Sequence, residues 1–257
     1  MSLDLFGKET NPVKLALARL HEFQPPDGYY LAFSGGKDSV ALLQLARDAG
    51  VRFDAHFHRT TLDPPELLRF IHTHFPDVSI HTPKESFFSL ISHRGAPNRR
   101  SRWCCNELKE QGGHGRTVLT GIRWAESVRR KQRSMVEHCY RDPSKNYVHP
   151  MIDWSTPDVW AYTQDNHLPT CSLYEEGFKR IGCIACTMQS SKTRWQDLKR
   201  WPRFERAFVL AFEKLYALRK AQGRTSVDRW PNASTMFHWW MSDSAAPDPD
   251  QVILFDD

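Results

Sequence analysis

Short apolar runs alternate with amphipathic stretches through the first half of the chain. Pro12 to Phe23 has helical periodicity, and Pro25-Pro26-Asp27-Gly28 ends it with a turn. Tyr29-Tyr30-Leu31-Ala32-Phe33 reads as a buried strand, and Val40-Ala41-Leu42-Leu43-Gln44-Leu45-Ala46 as a helix closed by Asp48-Ala49-Gly50. Val51 to His58 alternates like a second strand. Glu66 to His74 follows as a helix, with Pro64 and Pro65 ahead of its first turn. Val78 to His81 is a short strand, Lys84 to Ser92 and residues 103–111 are helices, and Arg116 to Ile122 is a strand. Strands that alternate with helices predict an α/β fold with a doubly wound, mainly parallel sheet.

After residue 140 the rhythm changes. Thr156 reads as an N-cap with Pro157 at the first helical position. Residues 202–221 form a long amphipathic helix with Phe204, Phe208, Phe212 and Leu215 on one stripe, expected to be core. The expected organisation is an N-terminal helix over 1–27, an α/β domain over 28–195 and a helical extension over 196–241. A loose tail over 242–257 follows, in which Val252-Ile253-Leu254-Phe255 docks locally.

The turn between the first strand and its helix is Ser34-Gly35-Gly36-Lys37-Asp38-Ser39. Paired glycines let the backbone approach a ligand, and the amide groups and dipole of the following helix favour an anion. Lys37 adds a positive charge, Ser34 and Ser39 add hydroxyls, and Asp38 is a candidate magnesium ligand. The spacing is neither that of the Walker loop nor that of the dinucleotide fingerprint. Ligands of such sheets bind beyond the carboxyl ends of the strands. The turn, Thr60-Thr61 and Gly121-Ile122-Arg123 all follow strands, so they are expected to converge on one crevice.

The net charge is +5, from 35 basic and 30 acidic residues, with arginine concentrated at Arg99, Arg100 and Arg102 and at Arg123, Arg129, Arg130 and Arg133. Such clusters suit phosphate or nucleic acid, or form a solvated basic surface. No apolar run reaches the roughly eighteen residues of a membrane span, and the N-terminus lacks a secretory core, so a cytoplasmic protein without membrane partners is expected. Of six cysteines, four form two close pairs, Cys104-Cys105 and Cys183-Ile184-Ala185-Cys186. Four thiolates can hold a tetrahedral zinc or an iron–sulfur cluster. Adjacent cysteines diverge and suit the separate iron corners of a [4Fe–4S] cluster better than one zinc ion. Cys171 is expected to be a buried structural thiol. Trp103 either shields a cluster or packs in the core. His56, His58, His72, His74 and His81 lack ligand spacing and are expected on the surface or in packing roles.

Ser-Gly-Gly-Lys-Asp-Ser resembles the PP-loop of ATP pyrophosphatases, which cleave ATP between the α and β phosphates. The cysteine pairing resembles the cluster motif of adenylyl-sulfate reductases, and further stretches agree. Thr60 to Leu67 is similar to that family's second loop, and Gly121 to Arg130 to its arginine motif. His149 to Trp154 with Asp158-Val159-Trp160 is similar to its tryptophan segment. Leu173 to Gly177, leading into Ile181-Gly182-Cys183, is similar to its approach to the second cysteine pair. The chain is thus identified as a member of the phosphoadenosine-phosphosulfate reductase family of PP-loop enzymes, whose fold is adenine nucleotide alpha hydrolase-like.

The resemblance implies an adenine nucleotide, Mg2+ and a [4Fe–4S] cluster on Cys104, Cys105, Cys183 and Cys186. It implies that Ser34, Gly35, Gly36, Lys37, Asp38 and Ser39 hold the phosphates, with Asp38 on magnesium. Lys37 and Arg123 would stabilise the departing group, and Thr60, Thr61, Gly121 and Arg129 would line the site. Glu126 would orient Arg123 or Arg129, and the cluster would sit beside the site. One departure matters: the sulfonucleotide reductases carry a C-terminal Glu-Cys-Gly-x-His segment whose cysteine attacks sulfur, whereas no cysteine follows Cys186 here. The expected function is therefore an ATP pyrophosphatase that activates an acceptor for sulfur transfer. The implied settings are nucleic-acid thiolation and DNA phosphorothioation, with a cysteine desulfurase as sulfur donor. The alternatives are an adenylyl-sulfate or phosphoadenylyl-sulfate reductase with an external thiol, and a non-catalytic iron–sulfur module.

Overall fold

Asn11 starts the first helix, α1 (Pro12–Glu22), because its side-chain oxygen accepts the otherwise unpaired amides of Val13 and Lys14 and Pro12 has no amide to satisfy. The computed structural model describes residues 2–3 and 9–242; the expected docking of Val252 to Phe255 lies outside the described residues. A two-residue antiparallel pairing, Ser2–Leu3 with Glu9–Thr10, precedes α1.

Six strands form the main sheet: β1 (Tyr29–Ala32), β2 (Phe53–His58), β3 (Ser79–His81), β4 (Thr117–Leu119), β5 (Val136–His138) and β6 (Asn146–Val148). Their order is β3-β2-β1-β4-β6-β5, parallel throughout except at β5–β6. The doubly wound, mainly parallel sheet expected from the sequence is the observed fold. From β1 the chain winds outward to β2 and β3, then returns to the other side of β1 at β4. The order therefore reverses between β1 and β4, and an open α/β sheet presents its ligand crevice at that point. The antiparallel hairpin β5–β6 is an edge that sequence analysis did not anticipate.

Contacts divide the chain into two compact units. The first comprises the described residues up to His58, Pro65–His81 and Gly112–Ile181, and contains the whole main sheet. The second comprises Arg59–Pro64, Thr82–Gln111 and the described residues from Gly182 on. Chain order does not separate them, since the stretch 28–195, read from the sequence as one domain, contributes to both.

In the first unit, α2 (Lys37–Asp48) follows β1 and packs against α1 and α6 (Thr156–Asp165), while α3 (Pro65–His74) follows β2. The cap of α6 is Ser155, not Thr156. The Ser155 hydroxyl accepts from the Asp158 amide and the Asp158 carboxylate accepts from the Ser155 amide, a reciprocal box that Thr156 has no carboxylate spaced to make. In the second unit, α4 (Phe87–Arg94), α5 (Trp103–Leu108), α7 (Ser191–Arg200), α8 (Pro202–Ala221) and α9 (Ala233–Met241) surround an aromatic core. Phe208 and Phe212 of α8 are buried against Phe237 and Trp240 of α9, whereas Phe204 is only partly buried. Trp103 is core: it stacks on Phe87 with centroids 5.5 Å apart, and its indole N–H donates to the Gly95 carbonyl. Truncating fully buried Phe208 to alanine is expected to cost about 3–5 kcal/mol of unfolding free energy, measured by urea titration.

Three of the histidines pack together with Tyr30. Tyr30 stacks on His56 at 4.1 Å between centroids, its hydroxyl lies 2.6 Å from His58 Nε2, and His56 Nδ1 lies 2.8 Å from His81 Nε2. Cross-strand register explains this, because Ala32 pairs with His56, and His58 pairs with His81. Burial, reinforced by the neighbouring His81 and His56, pushes His58 down to about 4. His149, fully buried after β6, is pushed by burial and then by Arg133 and Arg130 down to about 3; Thr120 Oγ1 lies 2.7 Å from its Nδ1.

A folded-state value below the unfolded 6.5 means that the unfolded chain takes up the proton first. Stability from neutral His149 is thus present above pH 6.5 and is lost as pH falls toward 3, by about 1 kcal/mol per pH unit. Urea unfolding at pH 7 and pH 5 checks this, with His149→Asn expected to flatten the loss.

Candidate functional site

Gly35 lets the chain turn from β1 into α2. Its φ of +70° is left-handed, and a Cβ there would lie 2.5 Å from Leu67 Cδ1 of α3. The turn is then fastened by its own hydroxyls. Ser39 Oγ donates to the Gly36 carbonyl at 2.9 Å and accepts from the Ser34 amide at 3.2 Å, with Ser34 Oγ 3.1 Å away. Gly36 is the N-cap of α2 and offers no side-chain cap of its own, and the Ser39 and Val40 amides donate to its carbonyl.

The charged residues of the turn and of the loop after β4 meet in one ionic triad. Asp38 accepts from Lys37 Nζ at 2.8 Å through one oxygen and from Arg123 Nε at 2.7 Å through the other. Arg123 is only 1% exposed, and its remaining fork donates to the Trp154 carbonyl at 3.1 Å. Gly121 is required for this approach, since a Cβ there would lie 2.9 Å from the Asp38 carbonyl oxygen. Ser34 to Ser39, Gly121 and Arg123 therefore do come together, at the reversal between β1 and β4. Within this cradle, Asp38 has both carboxylate oxygens engaged by cationic partners, Lys37 and Arg123.

Glu126 acts differently from expectation. It accepts from the Arg123 backbone amide at 3.0 Å and pairs with Arg130, not with the Arg123 guanidinium or with Arg129. A three-residue 3-10 turn, Trp124–Glu126, places its carboxylate back over its own start, which the sequence spacing does not disclose. Arg129 is exposed. Tyr174 was missed altogether: its phenolic oxygen accepts the Lys37 amide at 2.9 Å. The only signal in the sequence was its place in the Leu173 to Gly177 stretch.

Thr60 and Thr61 belong to the second unit, where both hydroxyls are used locally. Thr60 Oγ1 donates to Asp63 at 2.9 Å and accepts from the Cys183 thiol at 3.5 Å, while Thr61 Oγ1 accepts from the Phe87 amide. The same unit gathers the paired cysteines. Ile184 N donates to the Leu62 carbonyl at 2.8 Å, and Ala185, at φ 53°, donates its amide to Asp197 of α7 at 3.0 Å. The Cys104 thiol hydrogen-bonds Cys105, which with Lys109 and Arg102 holds Cys105 toward thiolate. That bond, burial and the charges of Cys105, Cys183 and Cys186 raise Cys104. Burial raises Cys183, opposed by Lys109.

Among the described residues, no three His, Cys, Asp or Glu side chains already surround a single-ion position. The donor set, four mutually interacting thiols with cationic neighbours, suits a thiolate-held iron–sulfur cluster, whose separate corners accept the adjacent Cys104 and Cys105. Cys171 is buried, as expected, and burial raises its thiol. Among the described residues, no helix is long and apolar enough to cross a membrane.

Comparison with known proteins agrees with this geometry. The model of the phosphoadenosine phosphosulfate reductase domain matches residues 28–189. The chain is 28% identical over 211 residues to an adenosine 5'-phosphosulfate reductase of Oceanobacillus iheyensis, covering 75% of this chain and 85% of that protein. It is 30% identical over 192 residues to an uncharacterized protein of Methanocaldococcus jannaschii, covering 68% of this chain but 40% of that one. Among solved structures, a phosphoadenylyl-sulfate reductase from Candida auris in a phosphate complex superposes with a TM-score of 0.52 at 20% identity, over 73% of this chain and 98% of that one. That likeness is one of fold. The matched domain spans the cradle, the Arg123 loop and both cysteine pairs, and the chain belongs to the phosphoadenosine phosphosulfate reductase family.

Proposed function

We propose that the chain is a sulfonucleotide reductase that binds adenylyl sulfate or phosphoadenylyl sulfate by its phosphate at residues 34–39. The observation that carries the reading is the triad of Lys37, Asp38 and Arg123 at the amino end of α2, where the sheet order reverses. The named relatives support the substrate class. Attack of a thiolate on the sulfur breaks its bond to the phosphate oxygen and leaves a thiosulfonate and the nucleotide, AMP from adenylyl sulfate or adenosine 3',5'-bisphosphate from phosphoadenylyl sulfate. A second thiol then releases sulfite and forms a disulfide. Lys37 and Arg123 stabilise the negative charge that accumulates on the departing phosphate. Cys171 is buried, and the attacking thiol is assigned in this reading to an external thiol compound. Cys104, Cys105, Cys183 and Cys186 would hold a [4Fe–4S] cluster, which supplies a thiolate-anchored iron centre when bound.

The exposed basic surface after Arg123 favours a second reading, in which ATP is cleaved to an adenylated acceptor and pyrophosphate in support of nucleic-acid thiolation. Lys37 and Arg123 then stabilise the departing pyrophosphate, and magnesium arrives with ATP. The exposed Arg129 and Lys131 suit a polyanionic acceptor.

Anaerobically purified protein should release sulfite from adenylyl sulfate plus added thiol under the first reading, and pyrophosphate from ATP under the second. Release of neither defeats both. In the active assay, Lys37→Ala is expected to lower turnover by roughly a hundredfold or more, and Cys139→Ser to leave it unchanged. Cys104→Ser together with Cys183→Ser should abolish bound iron and acid-labile sulfide. Iron content equal to wild type would reject the cysteine assignment.

A further inference from the structure

We propose that the phenolic O–H of Tyr174 is a ligand-binding donor of the cradle, giving its hydrogen bond to an anionic oxygen of the phosphate group seated on residues 34–39. This rests on the reading that the 34–39 turn holds that group.

Tyr174 oxygen accepts the Lys37 amide at 2.9 Å, which uses a lone pair and leaves the O–H free to donate. Among the described residues, no backbone or side-chain oxygen takes that O–H. The group is therefore a donor held at the amino end of α2 and unspent there.

Its position is fixed from both sides. Tyr174 closes a 3-10 turn, Ser172–Tyr174, whose Leu173 is fully buried, and the ring packs edge-on against Trp160 with centroids 5.3 Å apart at 86°. The phenol has few rotamers to lose when a ligand arrives, so little ordering cost opposes the bond. Its proton is retained at neutral pH, because burial and then the Asp38 charge push the phenol up to about 12 against the opposing Lys37 amide bond.

The electrostatics act in the same direction. A helix amide donating into the phenol oxygen polarises the O–H and makes it a better donor. The positive end of α2 is thus carried outward by one group, from the Lys37 amide through the phenol to the ligand. Lys37 and Arg123 each commit a nitrogen to Asp38. A neutral donor beside that triad adds recognition of an anion without adding net charge.

Titration calorimetry with inorganic pyrophosphate and with AMP tests the inference on wild type, Tyr174→Phe and Lys37→Ala. Tyr174→Phe keeps the ring packed on Trp160, so the melting temperature without ligand is expected to stay at the wild-type value. Affinity is expected to fall about tenfold, in line with the loss of a hydrogen bond to a charged group. Affinity equal to wild type, or tighter because the Lys37 amide has been freed, overturns the inference while leaving the cradle reading intact. Wild type that binds neither probe defeats the cradle reading and the inference with it. Should Tyr174→Phe not fold, Trp160→Leu removes the ring's support but keeps the hydroxyl. A several-fold loss of affinity then supports the inference, and an unchanged value overturns it.

Discussion

The carboxylate of Asp38, held between Lys37 and Arg123, is the interaction on which the first unit's functional geometry depends. Arg123 is almost entirely out of water. A guanidinium in that position without a partner would be destabilising by several kcal/mol, roughly 3–5 when one member of such a pair is removed. Asp38 supplies the missing charge, and in doing so ties the turn after β1 to the loop after β4. These are the two strands between which the sheet order reverses. The ion pair therefore closes the crevice that the topology opens, and sets two basic groups at the amino end of a helix whose dipole already favours an anion.

The glycines make sense only against that clamp. Gly35 turns the chain where a side chain would strike Leu67, and Gly121 brings the β4 loop against the backbone of Asp38. Neither is a generic loop glycine, because each permits one close approach that the triad needs. Behind the loop, the amide of Trp124 donates to the Ile152 carbonyl at 2.7 Å and Arg123 to that of Trp154. The His149 to Trp154 segment thus acts as a backboard for the arginine. Neutral His149, bonded to Thr120, sits at the start of that backboard.

Much of this was legible because it is local. The strand, turn and helix around residues 29–48 follow from periodicity and from glycine chemistry, and both depend on near neighbours along the chain. The stripe of Phe208, Phe212 and Leu215 was legible for the same reason. What could not be read was partner choice across space. Glu126 was assigned by charge to a guanidinium, yet its carboxylate closes a tight turn on a backbone amide and pairs with Arg130. Thr60 and Thr61 follow a strand, as a lining residue should, but their hydroxyls are spent on Asp63, Cys183 and the Phe87 amide. The histidines of β2 and β3 were expected on the surface or in packing roles, but which ones stack depends on cross-strand register, which no single-strand pattern encodes.

The cysteines carry the argument furthest. Residues nearly eighty positions apart are gathered in the second unit, and the Cys183 to Cys186 loop is fixed there from outside: the Leu62 carbonyl receives the Ile184 amide, and the Asp197 side chain of α7 receives that of Ala185. The local conformation is specific as well, since Ala185 sits in the left-handed region between the two thiols of its pair, where a non-glycine residue costs free energy. Asp197 accepts the amide of that same residue, and burial pushes its carboxyl up against the opposing effect of that hydrogen bond. A strained residue anchored by a buried carboxylate is not how an idle loop is built. It is the construction expected where two thiols must be presented together, and every partner named for them belongs to a core separate from the one that builds the cradle. The 34–39 turn and the paired cysteines therefore rest on different packing, and substitutions that loosen one core act first on one of them.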